Sequence, residues 1–238
     1  ILHVVCQIQR KEDVQYVRFL ESKRVSVKCF YNPYIQTVYE HHKLEAVMCF
    51  LYGLPTSVYR FRCLAMKHYI ETYIHDHKPD IVHIDHLCMA QFLPKKKKSV
   101  WVYEEHNIES TLQYTRFRFA KRLKHKLFLF LETITSFLYE ANVLSRFNHI
   151  FTISGLDKQR LKELYGVKIP VTVWPLIFLP KGVSKRKGNT LLFVGTLLWE
   201  PNADAIEWFC YEVFPLIQRS VPGAILDIVG EENPYLHV

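Results

Sequence analysis

The run Leu191-Leu192-Phe193-Val194-Gly195 constrains the fold of this chain more than any other stretch. Apolar residues of strand length end in a single glycine, and after a short loop an amphipathic run continues from Asn202, or shortly before it, to Arg219. A strand, a loop and a helix in that order are the building unit of a parallel sheet, because the helix returns the chain to the edge where the strand began. The glycine also places a backbone without Cβ before the positive end of a helix, where N–H donors and the helix dipole favour a phosphate group.

The same alternation runs through the rest of the chain and predicts an α/β fold with helices on both sheet faces. Strands are expected at Ile1–Cys6, Val25–Phe30, Ile81–Ile84, Val100–Tyr103, His149–Ile153 and Val171–Trp174. Helices are expected at Glu12–Ser22, Leu44–Leu51, Ser57–His77, Leu87–Leu93, Phe119–Ser145 and Leu156–Tyr165, the last starting after Ser154 and stopping at Gly166. Residues Pro180 to Asn189 are polar, basic and glycine-bearing, a composition that links domains. The expected organisation is a domain over 1–180, a linker over 181–189 and the start of a second domain over 190–238.

Six scattered cysteines without a C-x-x-C spacing read as reduced residues of a cytoplasmic protein. No wholly apolar run approaches the length of a membrane span, so no bilayer crossing is expected. The histidine pairs His41-His42, His75/His77 and His83/His86 lack a matching second pair of ligands, and no metal is expected. The chain opens at Ile1 already inside a strand, has no glycine before Gly53, and ends soon after Gly230. It reads as a fragment that lacks the first strand of one domain and most of the next.

The net charge is +8, and Arg116, Arg118, Lys121, Arg122, Lys124 and Lys126 interleave with Phe117, Phe119, Leu123, Leu127 and Phe128. Read as one helix, with Lys95–Lys98 adding charge, this stretch suits an anionic membrane surface, and equally a solvated basic face. No nucleic-acid motif accompanies it, so nucleic acid is not an expected partner.

The string FVGTLLWEPNADAIEWF, with Pro215 and the segment Pro222 to Gly230, resembles the opening of the donor-binding domain of glycosyltransferase family 4. Asp80 to His86 is similar to that family's strand with a polar end, and Val100 to Ser110 to its strand ending in a "HN-x-E" turn. Tyr139-Glu140, Arg146 to Ser154 and Val171 to Pro175 are similar to its "YE…RFD…S…V-x-V-x-P" signature, with Asn148 in place of the usual aspartate. The resemblance covers nearly all of residues 1–234. It implies the GT-B architecture of two Rossmann-like domains, here incomplete.

It further implies transfer of a hexose-like unit from a nucleotide-diphosphate sugar to a glycan or lipid-linked acceptor, as in surface polysaccharide or glycolipid assembly. Anomeric configuration would be retained, with neither a metal nor another cofactor. The family's paired glutamates around the donor sugar would lie beyond Val238. By resemblance Gly195, Thr196 and Asn202 bind the donor diphosphate, although relatives often carry a basic pair where Thr196 and Asn202 stand.

His106 leaves a strand at the carboxyl edge of a parallel sheet, where α/β ligands bind, and is expected beside the reacting sugar in a catalytic role. Asn107, Glu109, Asp85 and His86 are expected around acceptor or sugar. The competing readings are that Asn107 merely caps a helix while His106 covers the strand end, and that Gly195 marks a tight turn needing positive φ. A non-catalytic binding or scaffolding chain of the same fold is the alternative function. The expected location is cytoplasmic, with the inner membrane face as a peripheral site.

Overall fold

The computed structural model describes residues 1–32, 48–95, 99–175, 177, 182 and 188–233. The chain divides into two compact units, Ile1–Ile177 and Phe178–Val238. Most of the expected linker 181–189, the start of the helix expected at Leu44–Leu51, and all of Lys95–Lys98 except Lys95 lie outside the described residues.

In the first unit β1 (His3–Ile8) pairs in parallel with β2 (Ser26–Tyr31), and α1 (Val14–Ser22) joins them. A short α2 (Thr56–Arg60) and a longer α3 (Leu64–His77) lead to a four-stranded parallel sheet. Its order is β3 (Ile81–Asp85), β4 (Val100–Glu105), β5 (His149–Thr152), β6 (Val171–Val173). A 3₁₀ segment, Leu87–Phe92, follows β3; α4 (Glu109–Phe119) and α5 (Leu123–Leu144) connect β4 to β5, and α6 (Gly155–Tyr165) connects β5 to β6.

The parallel α/β architecture expected from the sequence is therefore present. Strict alternation on β4 places Trp101, Tyr103 and Glu105 on a buried face. There Trp101 and Tyr103 pack with Ile84, Ile150, Phe147, Val143 and Leu161 in one apolar cluster. Arg146 lies over Trp101, 5.4 Å from its ring centre, and donates to the Leu93 and Pro94 carbonyls at 3.1 and 3.0 Å.

Ser154 caps α6 by accepting from the Asp157 amide at 3.1 Å, and Gly166 stops it in the left-handed conformation at φ 59°. Asn148 is bonded twice to Trp101: its Oδ1 accepts from the Trp101 amide at 2.8 Å, and its backbone amide donates to the Trp101 carbonyl at 2.7 Å.

Three helical expectations change. The run 57–77 is two helices, because Phe61–Cys63 breaks it: Gln7 Nε2 donates to the Phe61 carbonyl at 2.8 Å and Asn32 Nδ2 to the Arg60 carbonyl at 3.0 Å. The basic stretch 116–126 is not one helix, since α4 ends at Phe119 and Arg122 is the extended N-cap of α5. And α5 is, by length and composition, apolar enough to cross a membrane, contrary to the expectation drawn from unbroken apolar runs. Within this fold it is a domain helix instead. It packs on α4 through Phe130 against Phe117 (5.7 Å between ring centres) and buries Leu129, Val143 and Leu144.

The second unit pairs β7 (Thr190–Val194) in parallel with β8 (Ile225–Val229). Between them lie α7 (Glu200–Trp208), a π-helical turn at Phe209–Val213 and α8 (Phe214–Ser220). The amphipathic run to Arg219 thus opens at Glu200 and is interrupted once.

Candidate active site

The ends of β3 and β4 gather titratable side chains because register and pleat agree. Asp85 pairs with Glu104, and His83, two residues before Asp85, shares its face. His83 Nε2 lies 3.2 Å from Glu104 Oε2. One residue past β4, His106 places Nε2 2.6 Å from Asp85 Oδ1 and 3.9 Å from Glu104 Oε1. The His86 ring stacks on that of His106, with centres 4.1 Å apart and planes 25° from parallel.

His86 reaches this position with φ 68°, a conformation that costs a non-glycine residue roughly 1 kcal/mol or more. Burial, opposed by the Asp85 charge, pushes the His86 pKa down and keeps the ring neutral. An ionised Asp85 only accepts hydrogen bonds, so His106 Nε2 carries the hydrogen. In the tautomer that donates from Nε2, Nδ1 carries the lone pair.

The site expected from the sequence separates into two clusters. Asp85, His86 and His106 come together, joined by Glu104 and His83. Glu109 instead belongs to a buried acidic group with Glu105 and Glu140, and Asn107 is exposed between the two. Burial pushes the Glu105 carboxyl well above the usual carboxylate range, and the Glu140 charge pushes it further.

Asn107 does not cap α4. The Glu109 and Ser110 amides donate to Glu140 Oε1 and Oε2, at 2.7 and 3.1 Å, and the Tyr165 hydroxyl also donates to Oε2. The glutamate of Tyr139-Glu140 therefore anchors the turn that presents His106. His83 was legible as a same-face neighbour of Asp85 on one strand, and Glu104 only once β3 and β4 pair in register. Glu140 was not, because its partners lie 30 and 31 residues away.

Asp85, His86 and His106 are also the described residues whose potential metal-ligand atoms lie within 4.8 Å of one another. The 2.6 Å carboxylate–imidazole bond engages one oxygen of Asp85 and Nε2 of His106.

In the second unit the Gly195 amide, expected to face a diphosphate, instead donates to the Val229 carbonyl at 2.9 Å and extends the β7–β8 ladder. Nor does Gly195 need positive φ; its φ is not among the positive ones. Its constraint is crowding by side chains. A Cβ there would lie 2.8 Å from Asn202 Nδ2 and 3.2 Å from the Phe193 ring.

The following loop is tied down. Asn202 Nδ2 donates to the Thr196 carbonyl at 3.0 Å, the Leu198 amide to Thr196 Oγ1 at 3.3 Å, and Asn233 Nδ2 to the Leu197 carbonyl at 3.1 Å. Thr196 still has its hydroxyl hydrogen and Asn202 a second amide hydrogen to offer an anion. Gly230, which closes the second motif of the resemblance, is the tighter position: a Cβ there would stand 1.9 Å from the Gly195 carbonyl oxygen.

Comparison with known proteins adds a family. The family model described as Glycosyltransferase Family 4 matches residues 14–176, more than half of the chain. No curated protein matches. Among solved structures, a sucrose-phosphate synthase from Thermosynechococcus elongatus is similar at 12% identity, over 73% of this chain and 88% of that one. The TM-score of the two structures is 0.36.

Proposed function

Because this chain belongs to glycosyltransferase family 4, we propose that it serves transfer of a hexose from a uridine- or guanosine-diphosphate sugar to a hydroxyl of a glycan or lipid-linked acceptor. The observation that carries this reading is the Asp85–His106 pair at the carboxyl ends of adjacent parallel strands, where ligands of α/β units bind. In the transfer the bond from the anomeric carbon to the diphosphate oxygen breaks. The acceptor oxygen forms the new bond and gives up its proton to the departing diphosphate oxygen, which leaves with the electron pair.

His106 is assigned the reacting sugar: Asp85 fixes its ring, and Nδ1 accepts a hydrogen bond from a sugar hydroxyl. Thr196 and Asn202 are assigned the diphosphate, as neutral donors at the start of α7. Retention of configuration and independence of metal follow the family resemblance. A cytoplasmic location and a part in surface polysaccharide or glycolipid assembly belong to the same proposal.

The test begins with calorimetric titration of the full-length protein with uridine- and guanosine-diphosphate sugars, followed by assay of transfer. Replacing His106 with Ala should lower the transfer rate at least about tenfold. The melting temperature should stay within a degree or so, because the ring is a partly exposed side chain beyond the strand end. A large loss of stability with unchanged specific activity would assign His106 a structural role. Sugar binding without any transfer would assign the chain to the non-catalytic alternative.

A further inference from the structure

All of Arg116, Arg118, Lys121, Arg122, Lys124 and Lys126 fall between Glu109 and Glu132, a stretch without one acidic side chain. The chain breaks its helix in the middle of them. Phe119 closes α4, Ala120 and Arg122 are extended at ψ 127° and 125°, and Leu123 opens α5. Phe117 on α4 meets Phe130 on α5, and Lys126 lies 5.4 Å from the Phe117 ring centre, so residues 119–123 form the tip of a helical hairpin.

At that tip the apolar side chains face outward. Phe119 is 75% exposed, Leu123 82% and Leu127 61%. Arg118, Lys121, Arg122 and Lys124 around them are exposed as well. A solvated basic face would turn its apolar residues inward and show only its cations. This tip shows both.

We infer that the tip of the α4–α5 hairpin docks on an anionic lipid bilayer, with Phe119, Leu123 and Leu127 entering the headgroup boundary and the four exposed cations meeting lipid phosphates. The choice of occupant rests on complementarity. A bilayer surface supplies negative charge and, directly beneath it, an apolar layer. Nucleic acid would match the charge but offers aliphatic leucines neither a stacking partner nor a hydrogen bond. The inference does not depend on sugar transfer, and the chain would dock whether or not it turns over a donor.

The test is co-sedimentation of the whole chain with two kinds of vesicle, phosphatidylcholine alone and phosphatidylcholine mixed equally with phosphatidylglycerol. The wild type should sediment with the mixed vesicles and not with the neutral ones, and added salt should release it. The triple variant Phe119→Ser, Leu123→Ser, Leu127→Ser should weaken that binding about tenfold or more. So should the quadruple variant Arg118→Gln, Lys121→Gln, Arg122→Gln, Lys124→Gln. Every substituted side chain is exposed, and unchanged circular dichroism checks that the fold persists.

A control quadruple, Lys67→Gln, Lys78→Gln, Lys162→Gln, Lys168→Gln, removes the same charge from exposed positions spread over other elements of the first unit and should change binding less than about twofold. Equal losses in the two quadruples would overturn the inference in favour of diffuse attraction. Failure of the wild type to sediment, or equal binding to neutral vesicles, would overturn it outright.

Discussion

At the scale of single residues, the ends of β7 and β8 turn on two glycines that touch through their backbones. A methyl group on Gly230 would sit 1.9 Å from the Gly195 carbonyl oxygen, and neither partner is a side chain that can swing away. On Gly195 it would meet the end of Asn202, which can move at the cost of its bond to Thr196. Gly230→Ala should therefore destabilise the second unit by about 3 kcal/mol, against about 1 kcal/mol for Gly195→Ala. Urea melts followed by circular dichroism would rank the two, and the reverse order would refute the crowding argument. Gly195 was visible in the sequence because a strand ends there, whereas the need for Gly230 exists only once the strands pair. His86 is a similar case, since nothing in its neighbours foretells φ 68°.

At the scale of elements, the sequence revealed the strands and most helices because their apolar periods are local. It missed the breaks near Phe61 and Ala120 and the cap of α4, which depend on groups distant in sequence or on a turn inside a run of helix formers. The long helix α5 shows this best. Glu132 and Glu140, both buried, each accept from the start of another helix: Glu132 Oε2 from the Thr56 amide at 3.1 Å and its hydroxyl at 2.8 Å, Glu140 from the Glu109 and Ser110 amides. Burial pushes both carboxyls upward in pKa, opposed by those hydrogen bonds. Glu140→Ala should cost about 3 kcal/mol by stranding two amides and the Tyr165 hydroxyl, while Glu140→Gln, which keeps an amide oxygen, should cost less. Equal melting temperatures for the two variants would show that the acceptor is not what matters.

At the scale of the whole molecule, the buried acidic group couples stability to pH. Burial first, and the Glu140 charge second, push the Glu109 carboxyl up to about 7, with Arg116 opposing. The folded pKa lies above the unfolded one, so the stabilisation is full below about pH 4.5 and is lost as pH rises through about 7. Glu109→Gln should match the wild type near the acid end and be more stable by about 2 kcal/mol near pH 8, a figure reduced because Glu109 is only half-buried. Denaturant melts across that range check it, and a constant difference at every pH would contradict it.

The family and the parallel α/β class could be read from spaced motifs, but the division of the expected site residues into an edge cluster and a buried acidic group could not. The two anchors of α5 carry one more consequence. They stand eight residues apart on the helix, about 80° from each other around its axis. Inserting a single residue between Glu132 and Glu140 would rotate one of them by about 100° relative to the other. No rigid shift of the helix could then satisfy Thr56 and Ser110 together. Such an insertion is a mismatch of phase, and lengthening this helix by one residue should be tolerated less well than losing either carboxylate.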